Sequence, residues 1–497
     1  MKITPSLLYD YYNCPHKVWR DKYGPKEEEI QEDNPFVNLL WERGVQHEKE
    51  IIQNFKYEYL DLSEGSIDER IEKTRKAIIE KTRYIYQGII QTQNLFGIPD
   101  LLELREDGNY IPVDIKSGTG FEGSDEFGEE ENKQKKHYAI QLCLYVEILE
   151  ALGILKEKKG FIIDKEGNKV EYNLNSQMGV RTPMSYWDLY KQIKNVVNEL
   201  VSNQKQNEPA LSSLCKLCTW YNSCRNWCIK NDDLTQIFYV GRKVRDTFKK
   251  DVRITSVNDL IKVNASDLII QKKKDKEFLK GIGEGTLNSA IKRGKILKNN
   301  SDPVIYSKIE FPKVSYELFF DIEDDPTQEF VYLHGLYIRN NGKEDYKGFI
   351  AKDVSKESEK MAWKNFWVFI RGLPQDDYSV YYFSQHEKST YRRLQKKYPE
   401  IIGEIELNTF FENPNVIDLY QLVLKNTDWP LGSYSLKSLA TYSGFKWRDE
   451  TPSGALSIQW YNEYLKTSDE KILNRIIEYN EDDCKATMAL KDKLTSL

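Results

Sequence analysis

Asp100 and the run Asp114-Ile115-Lys116 stand on either side of an Asp107-Gly108 pair, and this spacing constrains the chain more than any other feature. Asp-Gly between two apolar, alternating runs is a strong hairpin signal. With the turn centred on that pair, residue numbers that face each other sum to about 215. Asp100 is then expected opposite residue 115, beside Asp114 and Lys116. Residues two apart on a strand point to one face, so Asp114 and Lys116 project together. Two carboxylates and an ammonium thus gather at the open end of one hairpin. Carboxylates bind the hard cations Mg²⁺ and Mn²⁺, such a cation activates water, and the lysine stabilises charge on a phosphate.

A second acid set lies in the last third of the chain. Phe319-Phe320-Asp321-Ile322-Glu323 reads as an apolar strand ending in two carboxylates on one side. Tyr479-Asn480-Glu481-Asp482-Asp483 places Tyr479 and Asp483 four apart on one helical face. Between them, Tyr381-Tyr382-Phe383-Ser384-Gln385-His386-Glu387 reads as a strand running into a helix that carries an acid. Two-metal phosphodiester hydrolysis needs such acids, to hold ions ~4 Å apart, with a tyrosine to orient the water. Glu387 is the fourth acid and His386 its neighbouring alternative, because one helix cannot aim two consecutive side chains at one point. Asp324 and Asp325 read as loop residues and Asp418 as a weaker site candidate.

The rest of the chain is consistent with a large soluble globular protein. Its 497 residues suggest about three domains. No apolar run approaches the ~20 residues of a membrane span, and the opening Met1-Lys2-Ile3-Thr4-Pro5-Ser6 has no secretory character, so a cytoplasmic protein is expected. The net charge of −6 hides an asymmetry: Lys230 to Lys298 holds 17 Lys/Arg against 9 Asp/Glu. A basic middle between acidic flanks suits contact with nucleic acid. Within it, Leu279-Lys280-Gly281-Ile282-Gly283 resembles a helix–hairpin–helix turn, whose glycines let backbone N–H groups approach a phosphate. Lys272, Lys273 and Lys274 are expected to add phosphate contacts there.

Of seven cysteines, Cys143 and Cys484 sit in apolar helical contexts and read as small core residues. Cys215, Cys218, Cys224 and Cys228 cluster, and Cys14 stands alone near the start. In a reducing compartment such a cluster reads as a metal site, and four thiolates suit zinc or a [4Fe–4S] cluster.

The hairpin set resembles the PD-(D/E)XK nuclease superfamily, and other residues narrow the resemblance to its RecB-like branch. His47 after Gly44 matches that branch's metal-ligand histidine. Gln141 and Tyr145 match the helix that follows the Asp-x-Lys strand. Cys14 with Cys215, Cys218 and Cys224 looks like the split iron–sulfur arrangement of RecB-like nucleases, including the CRISPR-associated exonucleases, which favours [4Fe–4S] over zinc. Cys228 is an extra, either a bystander or a replacement for Cys224. The C-terminal set resembles DEDD exonucleases of RNase H-like fold, in the subtype with Tyr in the third motif, supported by Val416-Ile417-Asp418-Leu419 and Ser435-Leu436-Lys437-Ser438-Leu439-Ala440. Its second motif departs from the usual Asp, since Glu387 stands there.

These resemblances imply an α/β chain in three parts: a RecB-like PD-(D/E)XK domain with an iron–sulfur staple over 1–230, a basic helical segment over 231–303, and an RNase H-like 3′→5′ exonuclease domain over 304–497. The implied activity is a metal-dependent nuclease with two active sites, using Mg²⁺ or Mn²⁺ on single-stranded DNA or DNA ends, in repair, recombination or defence. A helicase is a candidate partner. The alternatives are an iron–sulfur DNA-binding scaffold with a degenerate site, or an RNA exonuclease.

Overall fold

The computed structural model describes residues 2–30, 35–122, 133–179, 182–299 and 302–497. The chain divides into two compact units: of the described residues, one runs up to Ser223 apart from Pro35–Phe36 and Ala210–Ser213, and the other takes those two stretches with Cys224–Leu497. The acidic then basic, Gly-containing stretch 121–136, which reads as a surface loop in the sequence, lies largely outside the described residues.

The first unit is built on a six-stranded mixed sheet, in the order Leu60–Asp61, Tyr84–Tyr86, Leu101–Leu104, Tyr110–Ile115, Lys159–Ile163, Lys169–Asn173. Every residue of Tyr110–Ile115 is buried, because both faces are covered. Leu102 and Tyr110 pack into a core with the helix Lys136–Ala151, whereas Leu101, Val113 and Ile115 pack with Ile52 and Tyr86 on the other side. The helix Lys136–Ala151 is apolar nearly all round and buries Ala139, Ile140, Leu142, Cys143, Leu144, Tyr145 and Val146, as a helix enclosed by other elements must. The first helix spans Pro5–Asn13; Thr4 is its N-cap, with Pro5 in the first turn where its missing N–H costs nothing.

The hairpin register differs from expectation by one. Its loop has three residues, Glu106-Asp107-Gly108: Arg105 N–H donates to the Asn109 carbonyl at 2.8 Å, and Gly108 takes φ +81°. The strands pair Leu104 with Tyr110 and Leu101 with Val113. Asp100 therefore comes level with Asp114 rather than Ile115. A three-residue loop with its last residue left-handed is the alternative that Asp-Gly also permits.

In the second unit, Leu234, Phe248, Val257, Leu260, Leu279, Leu287 and Ile291 form a helical core of their own. Beyond it a five-stranded sheet has the order Lys343–Ile350, Phe330–Asn340, Tyr316–Asp325, Tyr378–Tyr382, Val416–Asp418, with the first two pairings antiparallel and the last two parallel. Lys343–Ile350 was not expected from its polar sequence; it is a largely exposed edge strand, joined through Asn341-Gly342 at φ 47° and 81°, the two-residue turn that Asn-Gly favours. Leu318, Phe320 and Ile322 face the core containing Trp363 and Phe366, and Phe319 faces the one containing Cys484 and Leu490. Alternation thus turns Asp321 and Glu323 toward the long helix Glu470–Ser496. Asp324 and Asp325 are strand residues, not loop residues.

Candidate active sites

At the first unit's hairpin, Asp100 and Asp114 sit side by side. The Asp100 N–H donates to Asp114 Oδ1 at 3.3 Å, and Asp100 Oδ2 accepts from the Ile115 N–H at 2.7 Å. Lys116 Nζ lies 2.8 Å from Asp114 Oδ2. Burial, then the charge of Asp114, pushes the Asp100 carboxyl well up. Burial opposes the Lys116 charge, but Asp114 and Asp100 outweigh it and hold the ammonium above its ordinary range. Gln141 Nε2 donates to the Tyr145 hydroxyl at 2.9 Å, and that hydroxyl donates to the Ile98 carbonyl at 3.1 Å. These two residues brace the segment that leads into Asp100. Gly97 makes the approach feasible: a Cβ there would lie 2.6 Å from Tyr145 Cδ1.

His47 lies on the helix Pro35–Gln53, with a buried Nε2 that has no hydrogen-bond partner. Its neighbour Glu48, which sequence reasoning passed over, accepts from the Tyr86 hydroxyl at 2.8 Å and from Gln87 Nε2 at 2.6 Å, and Gln87 Nε2 also reaches Asp100 Oδ1 at 3.1 Å. Glu48 is one position from His47; nothing in its sequence context marks it, since its partners lie some forty residues away.

In the second unit, ligand oxygens of Asp321, Glu323 and Asp483 lie within 4.8 Å of one another, the one such group of three among the described residues. Burial, then the charges of Asp483, Glu323 and Glu387, pushes Asp321 well up. Burial with Asp483 carries Glu323 to about 8. Glu387 is buried, its Oε2 has no hydrogen-bond partner, and burial lifts it to about 8. His386 turns elsewhere, with Nε2 2.9 Å from Asp324 Oδ1, and Arg393 also reaches Asp324. Asp418 caps the helix Leu419–Asn426 and accepts from the Ser384 N–H and Gln385 Nε2. It thereby anchors a turn in which Ser384 takes φ +98°, a strained conformation for a non-glycine residue, just ahead of Glu387.

Three further residues complete this site. Asn480 Nδ2 donates to Asp321 Oδ2 at 2.8 Å and Glu323 Oε1 at 3.4 Å. Trp447 Nε1 donates to Asp483 Oδ1 at 2.7 Å. Lys437 Nζ donates to the Tyr479 hydroxyl at 3.1 Å, and its charge counters the upward push on Asp483. Asn480 and Lys437 stood inside motifs already singled out; Trp447 had no sequence signal. Gly335, paired with Asp321, is required because a Cβ would fall 1.6 Å from Asn480 Oδ1.

Cys14, Cys215 and Cys218 belong to the first unit. Burial raises the Cys218 thiol, and Cys14 and Cys215 are close enough to add to it. Cys224 lies on the helix Tyr221–Lys230. Cys228 on the same helix is fully buried, with Sγ 3.9 Å from Thr235 Oγ1. In the basic segment, Leu279 and Gly281 both have positive φ, and Lys272 Nζ donates to the Phe278 and Leu279 carbonyls. Lys272 therefore ties the hairpin together, contrary to the expectation that it acts with Lys273 and Lys274; those two are exposed.

A family model for the PD-(D/E)XK nuclease superfamily matches residues 7–225, and one for the RNase H superfamily matches residues 318–495. No curated protein and no solved structure gives a significant match to the chain. The two matched regions are those of nuclease superfamilies, which supports a metal-dependent nuclease with nucleic acid as its substrate class. No helix among the described residues is long and apolar enough to cross a membrane.

Proposed function

We propose that the protein is a nuclease with two active sites that degrades single-stranded DNA or DNA ends, its C-terminal site acting as a 3′→5′ exonuclease. The observation that carries this reading is the convergence of Asp321, Glu323 and Asp483, with Glu387 near enough for its charge to act on Asp321 and its Oε2 buried and unpartnered. Buried carboxylates crowded together repel one another and resist ionisation, and an all-oxygen donor set fits Mg²⁺ or Mn²⁺. When bound, such a cation supplies a Lewis acid and a water of lowered pKa. Asn480 and Trp447 hold the ligands in place, and Tyr479, fixed by Lys437, orients a water through its hydroxyl. Glu387 takes the place usually filled by an aspartate.

In the first unit, Asp100, Asp114 and the His47 Nε2 lone pair are the proposed ligands of a second ion. Lys116 is the cation that meets the phosphate, and Gln141 and Tyr145 position the Asp100 segment. Cys14, Cys215, Cys218 and Cys224 are the proposed ligands of a [4Fe–4S] cluster, and the nearness of Cys14 and Cys215 to the Cys218 thiol supports a shared thiolate site. We take the domains as 1–230, 231–303 and 304–497, with the basic middle as a phosphate-contacting segment.

The test is an assay on 5′- and 3′-labelled single strands of DNA and RNA with Mg²⁺ or Mn²⁺, comparing the wild type with Asp114→Ala and Asp321→Ala. Each variant is expected to lose one activity and keep the other. Retention of every activity in both variants overturns the two-site reading, and cleavage confined to RNA overturns the DNA assignment.

A further inference from the structure

Two exposed tyrosines, a histidine and a third tyrosine meet beside the first unit's hairpin. On the helix Pro5–Asn13, Leu7, Leu8 and Tyr11 pack inward, whereas Tyr9 and Tyr12 are 52% and 37% exposed. These two, three apart, share the outward face. The His137 ring lies 5.7 Å from Tyr9, 6.1 Å from Tyr12 and 4.4 Å from Tyr138. Lys116 Nζ and Lys135 Nζ stand 5.9 and 5.2 Å from the Tyr138 ring centre, and Lys165 is close enough to act on Lys135. Glu122 is the neighbouring acid. Single exposed aromatics are ordinary; four touching rings on two elements, edged by lysines, one of them in the Asp114 ion pair, are not.

We propose that Tyr9, Tyr12, His137 and Tyr138 form a stacking platform for the unpaired bases of a single nucleic-acid strand, whose backbone then runs along Lys135 and Lys116 to the Asp100–Asp114 carboxylates. This rests on the nuclease reading of the first unit and adds how that site selects its substrate. Bases inside a duplex have their faces covered by neighbouring base pairs, so only an unpaired base can lie on these rings. Stacking tolerates any base because every base offers a π-face. The lysines supply charge complementary to phosphate, and Lys116 links the platform directly to the acids. His137 is held neutral at physiological pH: burial, then Lys135 and Lys116, brings it down to about 4.

The experiment uses the full chain in chelator, so that nothing is cut, with single-stranded oligonucleotides carrying 5-iodouracil, whose photochemistry joins it to stacked aromatic side chains. Mass spectrometry is expected to map crosslinks to the Pro5–Asn13 helix and to His137–Tyr138. The double variant Tyr9→Leu/Tyr12→Leu should lose the helix crosslinks and roughly 5- to 20-fold in single-strand affinity, as loss of base–aromatic stacking does, with duplex affinity unchanged. Tyr9→Phe/Tyr12→Phe should retain both, since the rings remain. Crosslinks that map only elsewhere, or unchanged single-strand affinity in the leucine variant, overturn the platform. If Asp114→Ala still cuts like wild type while the crosslinks map as expected, the nuclease reading of the first unit fails and the platform stands.

Discussion

Gly97 and Glu387 show how much a single residue decides here. Tyr145 is fully buried and cannot move away from a methyl group at position 97. Gly97→Ala is therefore expected to cost about 1–3 kcal/mol of stability, as overpacking does. It should also depress the Asp114-dependent cleavage, because Tyr145 would drag the Ile98 carbonyl that precedes Asp100; thermal melting and strand-cleavage rates check this. In the second unit, Glu387→Gln should abolish exonuclease activity, since a neutral amide is a poor ligand for a divalent cation. Glu387→Asp should keep part of it or alter the Mg²⁺/Mn²⁺ preference. His386→Ala should retain activity, because its imidazole is spent on Asp324. An inactive His386→Ala beside a fully active Glu387→Gln would reverse the assignment.

At the scale of elements, the helices flanking the Lys280–Gly283 turn divide the lysines by role. Lys272 closes the hairpin through the Phe278 and Leu279 carbonyls, whereas Lys273 and Lys274 face solvent. Lys273→Glu/Lys274→Glu should weaken DNA binding across sequences and flatten its salt dependence, as loss of phosphate contacts does, without changing the melting temperature. Lys272→Ala should instead lower thermal stability. Binding titrations at several salt concentrations, with melting curves, separate the two. The strand Tyr316–Asp325 and the helix Glu470–Ser496 act as one device: period-2 alternation puts Asp321 and Glu323 on one side of the strand, and the helix packed there brings Asp483 to them.

For the whole molecule, the acid cluster makes stability depend on metal and pH together. Glu323 and Glu387 are held near 8 in the fold, above the ordinary glutamate value of about 4.3 in an unfolded chain. Their protonated forms thus stabilise the fold fully below that ordinary value, and the contribution is lost as pH rises through about 8. In chelator, the melting temperature should fall as pH is raised from about 6 to about 9, and Mn²⁺ or Mg²⁺ should restore it by binding only the folded state. A metal-independent melting temperature at alkaline pH would argue against an ion at this cluster. Separately, Cys14→Ala should remove iron and visible absorbance from protein purified without oxygen, because a structural cluster contributes folding free energy. Stoichiometric zinc in the wild type would refute the iron–sulfur assignment.

By itself the sequence determined which short segments carry chemistry. Alternation in Phe319–Glu323, the Asp-x-Lys spacing and the four-residue step from Tyr479 to Asp483 are local, and local periodicity sets the direction in which side chains project. The strands that carry them were legible for the same reason; the edge strand Lys343–Ile350 was not, because its polar residues carry no burial pattern although Asn341-Gly342 marks its turn. Tertiary structure alone decided the rest. The three-residue loop at Gly108 shifted the hairpin by one and brought Asp100 level with Asp114. Glu48 was joined to Asp100 through Gln87, Trp447 was brought to Asp483, and His386 was turned to Asp324, leaving Glu387 free to face the acids. Those outcomes depend on loop closure and on contacts between residues far apart in the chain, where a side chain's partner is set by the packing of whole elements and leaves no periodic trace in its own neighbourhood.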